Sequence, residues 1–384
     1  MPSVILQGHC DARFEGVRSA FADNFEERGD IGASVAVVVE GHLVVDLWGG
    51  HTDADRTSSW QQDTLVNVWS VGKAVTALTL LKALESHHID VDEPVSTYWP
   101  EFAAEGKDRV SFATAMSHRA GLCTVETPLP ENAYLEWDLM ADAIARQKPW
   151  WQPGTGHGYH TNTIGFLLGE PVRRITGKPL QTYFQEQIAA PLELDFHFGV
   201  PVDELYRCAD LVSMSVPAGY KPRSQPPDEN EAMNRMRSFL GNPGLATLDF
   251  NSEAWRTSVF PSTSPQSNAR SIARLFGKLA DLAGNGTGGI ISPSLMQRAI
   301  QIASDGEDLN VRRPTRFGLG FQLTQPHRPL GPNKETFGHY GNGGHLGFAD
   351  PAASMGFAYS MNHQGFAWRD PRNIALTDAV YASL

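Results

Sequence analysis

Apolar positions recur every three or four residues over 11–28, at Phe14, Val17, Phe21 and Phe25, which predicts an amphipathic helix with one face on a core. The period then changes. Residues 33–39 and 43–48 are Val-rich runs around Glu40-Gly41-His42, and two β-branched runs about a short glycine-containing turn predict an antiparallel hairpin. From Ser70 to about Ser86 apolar residues fall on nearly every side, at Val71, Val75, Leu78, Leu80, Leu81 and Leu84, so this helix belongs inside the protein. Helical segments follow at 112–117, 140–146, 163–176 and 268–282, separated by loops. The Pro-rich, charged stretch 216–230 reads as an irregular surface excursion. Strands return at 317–323, 345–350 and 355–361, before a final helix near 373–384.

Strands at both chain ends with helices between them predict one sheet assembled from the two ends. Residues 1–65 and 286–384 would form an α/β subdomain and residues 66–285 a mainly helical one, with a site at their interface. A chain of 384 residues exceeds what one growing core accommodates, which fits two packed subdomains. The formal net charge of −12, with no Lys/Arg cluster, excludes the electrostatics of a nucleic-acid binder. Cys10, Cys123 and Cys208 are far apart and form no C-x-x-C, so neither a zinc site nor a disulfide framework is expected, and the scattered acids form no metal cluster. The N-terminal stretch lacks a basic region, and no run reaches the ~18 apolar residues of a membrane span, which predicts a cytoplasmic protein without a membrane partner. Nothing in the pattern bears on oligomeric state.

Three stretches carry chemistry. In Val68-Trp69-Ser70-Val71-Gly72-Lys73, a serine and a lysine three apart share one helix face. A serine is also a common helix cap, so an N-cap followed by a surface lysine is the alternative. Lys73, however, lies on a helix that is apolar all round, and burying an ammonium is costly unless it is paired or loses its proton. Desolvation and the positive helix N-terminus would both depress its pKa and fit it to take the serine proton. The second stretch, Pro153-Gly154-Thr155-Gly156-His157-Gly158-Tyr159-His160-Thr161-Asn162, is an irregular loop before a helix. It can present Tyr159 to a cleft, where a neighbouring cationic lysine would ease ionisation of the phenol; His157 and His160 are rival bases. The third, Phe337-Gly338-His339-Tyr340-Gly341-Asn342-Gly343-Gly344-His345-Leu346-Gly347, is glycine-rich and runs into a strand, so its backbone can approach a substrate and offer an N–H to an oxyanion together with that of Ser70. A glycine-rich hairpin turn is the alternative reading. A G-x-S-x-G elbow, H-E-x-x-H, a Walker loop and G-x-G-x-x-G are all absent, and no cofactor is called for.

These stretches, in this order, resemble the serine β-lactamase-like superfamily, and within it the family VIII carboxylesterases, which are similar to class C β-lactamases. The resemblance runs from about residue 10 to 380 and includes Ser117-His118-Arg119-Ala120-Gly121-Leu122, Pro153-Gly154-Thr155, Gly169-Glu170, Asn268-Ala269-Arg270 and Phe317-Gly318-Leu319-Gly320-Phe321. It implies an α+β fold of the β-lactamase/penicillin-binding-protein type, with an antiparallel sheet flanked by helices and an all-helical subdomain. It also implies that Tyr159 is the family's motif tyrosine. His339-Tyr340-Gly341 then occupies the place of the lactamase K-T-G, and the N–H of Asn342 would be the second oxyanion donor. Two positions depart from the lactamase pattern: Thr161 stands where lactamases carry Asn, and His339 where they carry Lys. A neutral histidine attracts a substrate carboxylate less than a lysine does, which shifts the expectation from β-lactams to uncharged esters. The expected enzyme is a serine carboxylesterase acting through an acyl-enzyme on Ser70, with Lys73 and Tyr159 moving protons and no cofactor or metal. A β-lactamase, a D-amino-acid peptidase or amidase, an acyltransferase and a non-catalytic binding relative are the alternatives. Trp69, Trp150 and Trp151 are candidate walls of an apolar pocket, and His345 is a candidate pocket residue of unassigned role.

Overall fold

The computed structural model describes residues 4–214, 242–245, 248–284, 286 and 289–384. The excursion expected at 216–230 lies outside the described residues. Nine strands build one antiparallel sheet: β1 (Leu6–Cys10), β2 (Gly32–Val39), β3 (His42–Gly50), β4 (Ser304–Glu307), β5 (Pro314–Phe317), β6 (Gln322–Leu323), β7 (Phe337–Tyr340), β8 (Leu346–Asp350) and β9 (Met355–Met361). Their order is β1-β3-β2-β9-β8-β7-β6-β5-β4, so the two chain ends meet where β2 pairs with β9. The β2–β3 hairpin turns at Glu40 (φ 50°) and Gly41 (φ 78°), two successive left-handed residues that match the twist of the flanking strands.

The valine run of β2 is continuous because both faces of the sheet are covered. Val35 and Val37 point to a core shared with α1 (Glu15–Glu26) and the C-terminal helix Pro371–Ser383. Ala36 and Val38 point to the opposite face, under helix Ala269–Gly284, which lies across β2, β8 and β9. That helix was assigned by sequence to the helical part, but its apolar stripe of Ile272, Ala273, Phe276 and Leu279 is spent on the sheet. The expected strand 317–323 is two strands: Gly318–Phe321 reverses the chain, with Gly320 at φ 81°, and Gln322 pairs back onto Phe317. The pattern of hydrophobic residues also gave no hint of β1, β4 or β7.

The all-round apolar helix, α2 (Val71–Ser86), is buried from Val71 to Leu81 without interruption. It packs against helix Ile164–Thr176 and against β7, and so lies between the helical layer and the sheet. Among the described residues no helix is long and apolar enough to cross a membrane.

Candidate active site

Trp69 has φ 52°, a left-handed value uncommon for a bulky residue, and it turns the chain sharply so that α2 starts at Ser70. Gly72, in the first turn, has no room for a side chain: a Cβ there would stand 2.4 Å from Pro261 O and 2.5 Å from Pro265 Cγ. On the other side, a Cβ on Gly165 would come within 2.7 Å of Ser262 N. Two glycines on two helices therefore admit the backbone at 261–262 to the side of Lys73. There Lys73 Nζ lies 2.8 Å from Ser70 Oγ and 2.7 Å from Ser262 O. The residue is 1% exposed, and burial pushes its pKa well below 10.5. Desolvation is the cause: taking the side chain out of water disfavours its ammonium form.

Lys73 Nζ also stands 5.2 Å from the ring centre of Tyr159. That ring lies parallel to Phe317 at 5.7 Å, and His118 (5.1 Å), His339 (5.9 Å) and Trp368 (5.5 Å) enclose it. Tyr159 Oη is buried without a hydrogen bond of normal geometry, although the Ser70 hydroxyl is close enough to lower the phenol's pKa. Burial outweighs that effect and raises the phenol's pKa, with Asp308 adding to it and Arg313 and Arg328 opposing. Burial thus acts on both groups in one sense, disfavouring the ammonium of Lys73 and the phenolate of Tyr159, because both lie in the same dry interior.

The rival histidines are occupied. His160 Nε2 accepts the Leu122 N–H at 2.9 Å and its Nδ1–H donates to Gly158 O at 2.6 Å, so neither nitrogen is left for a substrate. His157 Nε2 is bonded to Thr315 Oγ1 at 3.0 Å. His118, within the Ser117–Leu122 motif, carries no signal of its own in sequence, yet it reaches the site: its Nδ1 accepts the His160 N–H at 3.0 Å, which leaves Nε2 as a buried, unpaired donor near Lys73 and Tyr159.

The glycine-rich stretch contributes β7 and the turn after it. A Cβ on Gly341 would meet Val68 O at 2.6 Å, so this turn is pressed against the backbone leading to Ser70. The Gly341 N–H is spent on His345 O at 2.7 Å, and an exposed Asn342 opens a 3₁₀ turn whose Gly343 and Gly344 are buried. The turn is held from below: Arg372 Nη2 donates to Gly343 O (3.1 Å) and Asn373 Nδ2 to Gly344 O (2.8 Å), while Arg372 is itself paired with Asp30 and Asp370, all buried. His339 is fully buried; its Nδ1–H donates to Tyr340 O at 2.6 Å, leaving an unpaired Nε2 lone pair. Burial pushes its pKa down to about 3, so it is neutral at physiological pH. His345 is likewise pushed to about 3 by burial and by Arg372; it abuts Gln364 and sits behind the turn. Trp69 packs on Phe250 and Trp255, forming an aromatic wall beside Ser70. Trp150 and Trp151 instead brace loops, donating to Thr124 O and Gly156 O.

Among the described residues, the metal-compatible grouping Asp195, His197 and Glu204 is filled by Arg207, whose guanidinium pairs with both carboxylates. None of the three cysteines forms a disulfide.

Known proteins share this arrangement at several levels. A family model described as Beta-lactamase matches residues 20–382. Esterase/beta-lactamase LipL of Mycobacterium tuberculosis is 30% identical over 370 residues, spanning 92% of this chain and 82% of the relative. A crystal structure of a family VIII carboxylesterase superposes with a TM-score of 0.90 at 35% identity, covering 99% of this chain and 100% of that one. A penicillin-binding protein homolog from Caulobacter crescentus gives a TM-score of 0.88, also at 35% identity, covering 99% and 100%. With the family model spanning nearly the whole chain and these relatives covering it end to end, the chain belongs to the beta-lactamase family and is a serine hydrolase of that fold.

Proposed function

We propose that the protein is a serine carboxylesterase that hydrolyses small, uncharged carboxylic esters through an acyl-enzyme on Ser70. The observation that carries the reading is the 2.8 Å contact between Ser70 Oγ and a lysine amine whose charged form burial disfavours. A neutral amine has the lone pair a general base needs, and Ser262 O orients it through one of its N–H bonds.

Ser70 Oγ attacks the ester carbonyl as its proton moves to Lys73 Nζ. The tetrahedral oxyanion lies between the N–H of Ser70 and that of Asn342; Gly341 is unsuited, since its N–H already serves His345 O. Once Lys73 is charged, the adjacent phenol loses its proton more readily. Tyr159 Oη then protonates the departing alkoxide and is reprotonated from Lys73, so the couple returns to its neutral state with the acyl group on Ser70. Water, giving a proton to the same couple, attacks the acyl carbon; the C–Oγ bond then breaks, Ser70 Oγ takes that proton back, and the acid is released. His339 supports an uncharged substrate: buried and neutral, it offers a lone pair where a lysine would offer a positive charge to a carboxylate. The esterase names of the LipL relative and of the family VIII structure point the same way.

The test is intact-mass trapping of an acyl-enzyme from a panel of esters, mapped to its residue, alongside turnover of p-nitrophenyl acetate, a cephalosporin and an alcohol acceptor. An acyl adduct on Ser70 with p-nitrophenyl acetate turned over fastest is expected. An adduct on another residue refutes the nucleophile, and faster turnover of the cephalosporin refutes the ester.

A further inference from the structure

We propose that Asp308 is a positioning residue for Tyr159, gripping its backbone so that the phenol stays aligned with Ser70 and Lys73; this rests on the reading of Tyr159 as a proton-transferring group. Asp308 is the first residue after β4, in the loop that joins β4 to β5 at the edge of the sheet, and it is fully buried. Both of its carboxylate oxygens accept the N–H of Tyr159, at 3.0 and 2.9 Å. The same carboxylate accepts the N–H groups of Asn310 (2.8 Å) and Val311 (2.9 Å) and the hydroxyl of Thr315 (2.8 Å). Asn310 Nδ2 closes the grip from the other side by donating to Tyr159 O at 2.7 Å, and the Leu309 N–H donates to His157 O at 2.9 Å. Both peptide groups of one residue are thus held by a loop 149 positions away in sequence.

Two features separate this from ordinary loop packing. Apart from its close approach to the Ser70 hydroxyl, which lacks normal hydrogen-bond geometry, the phenol has no side-chain anchor, so its direction is set by the ring cage and by the backbone that Asp308 and Asn310 hold. And a buried carboxylate is a costly way to stabilise a loop, since an apolar side chain of similar volume commonly does as well or better. What the anion supplies is directional: several donors converge on two oxygens and fix the relative position of two loops, one from the sheet and one from the helical part.

A double-mutant cycle tests the proposal, using Asp308→Asn, Tyr159→Phe and the pair, each assayed on p-nitrophenyl acetate. The carboxamide keeps the shape but presents an NH₂ to the Tyr159 N–H. Asp308→Asn is expected to lower kcat on the order of 100-fold with KM little changed, the scale of an ångström misplacement in a catalytic group. In the Tyr159→Phe background the same substitution is expected to cost less than about twofold, because the group it positions has gone. An equal loss in both backgrounds, or a wild-type kcat for Asp308→Asn, overturns the proposal. Full activity in Tyr159→Phe alone overturns the role of Tyr159, and the anchor falls with it. If Asp308→Asn does not fold, Asn310→Ala replaces it in the cycle: a kcat loss of about tenfold that vanishes with Tyr159→Phe is expected, and an unchanged kcat overturns the proposal.

Discussion

Replacing Lys73 with methionine separates the base from its surroundings, because the stem volume is kept and only the amine is lost. Two effects follow, and the structure gives each a size. Without the amine, Ser70 has no proton acceptor within hydrogen-bond reach at the 2.8 Å contact, and kcat should fall by on the order of 10³-fold or more, about 4 kcal/mol of barrier. The second effect is on stability and carries the sharper test. Lys73 keeps its proton up to about 10.5 in the unfolded chain but gives it up at lower pH in the folded one, where burial lowers its pKa. Unfolding therefore takes up a proton, and wild-type stability rises with pH until 10.5, at about 1.4 kcal/mol per pH unit for as long as the folded amine stays neutral. The methionine variant lacks this dependence. It does lose the donor to Ser262 O, at a pH-independent cost of about 1–3 kcal/mol. Urea denaturation of both proteins between pH 7 and pH 9 should show the wild type gaining stability relative to the variant as pH rises, with a slope that approaches about 1.4 kcal/mol per pH unit above the folded pKa. Parallel stability curves would mean a charged lysine in the fold, and the assignment of Lys73 as the base would be refuted.

Tyr159→Phe should lower kcat by about 10²–10³-fold while leaving the melting temperature unchanged or raised, since the buried Oη has no hydrogen bond to lose; a fall in both on a thermal melt would contradict this. Gly72→Ala should be more damaging than its size suggests. The new methyl meets Pro261 O at 2.4 Å and must push 261–262 away from Lys73, so activity on p-nitrophenyl acetate and about 1–3 kcal/mol of stability should be lost together. Arg372→Met leaves Asp30 and Asp370 as buried carboxylates without their cation; about 3–5 kcal/mol of destabilisation by denaturant titration is expected, and a change under 1 kcal/mol would show that the Gly343–Gly344 turn is held by other means.

What could be read from the chain alone was whatever depends on local period and spacing. The all-round apolar α2 announces its own burial, and Ser70 and Lys73 lie within one helical turn, so their contact follows from helix geometry. The valine runs of β2 and β3 with Glu40-Gly41 between them specify their own hairpin. Residues 317–323 misled because alternating apolar residues look the same whether a strand continues or doubles back at Gly320. Helix Ala269–Gly284 misled because an amphipathic stripe says that a face is buried without saying against what. The charge states in the site needed the tertiary structure too. Desolvation is a property of everything packed around a group: it lowers the Lys73 pKa as the apolar helix led one to expect, and it raises that of the Tyr159 phenol, which the sequence pattern did not foretell. The same holds for His118, for the Arg372 support beneath Gly343 and for the Asp308 grip on Tyr159. Each is a single polar residue brought to the site by chain passing far from it in sequence, and no periodicity records where a distant loop will end. The sequence by itself placed Ser70 and Lys73 together, because one helical turn joins them; the fold decided how deeply they are buried, brought Tyr159 to them and set what holds it there.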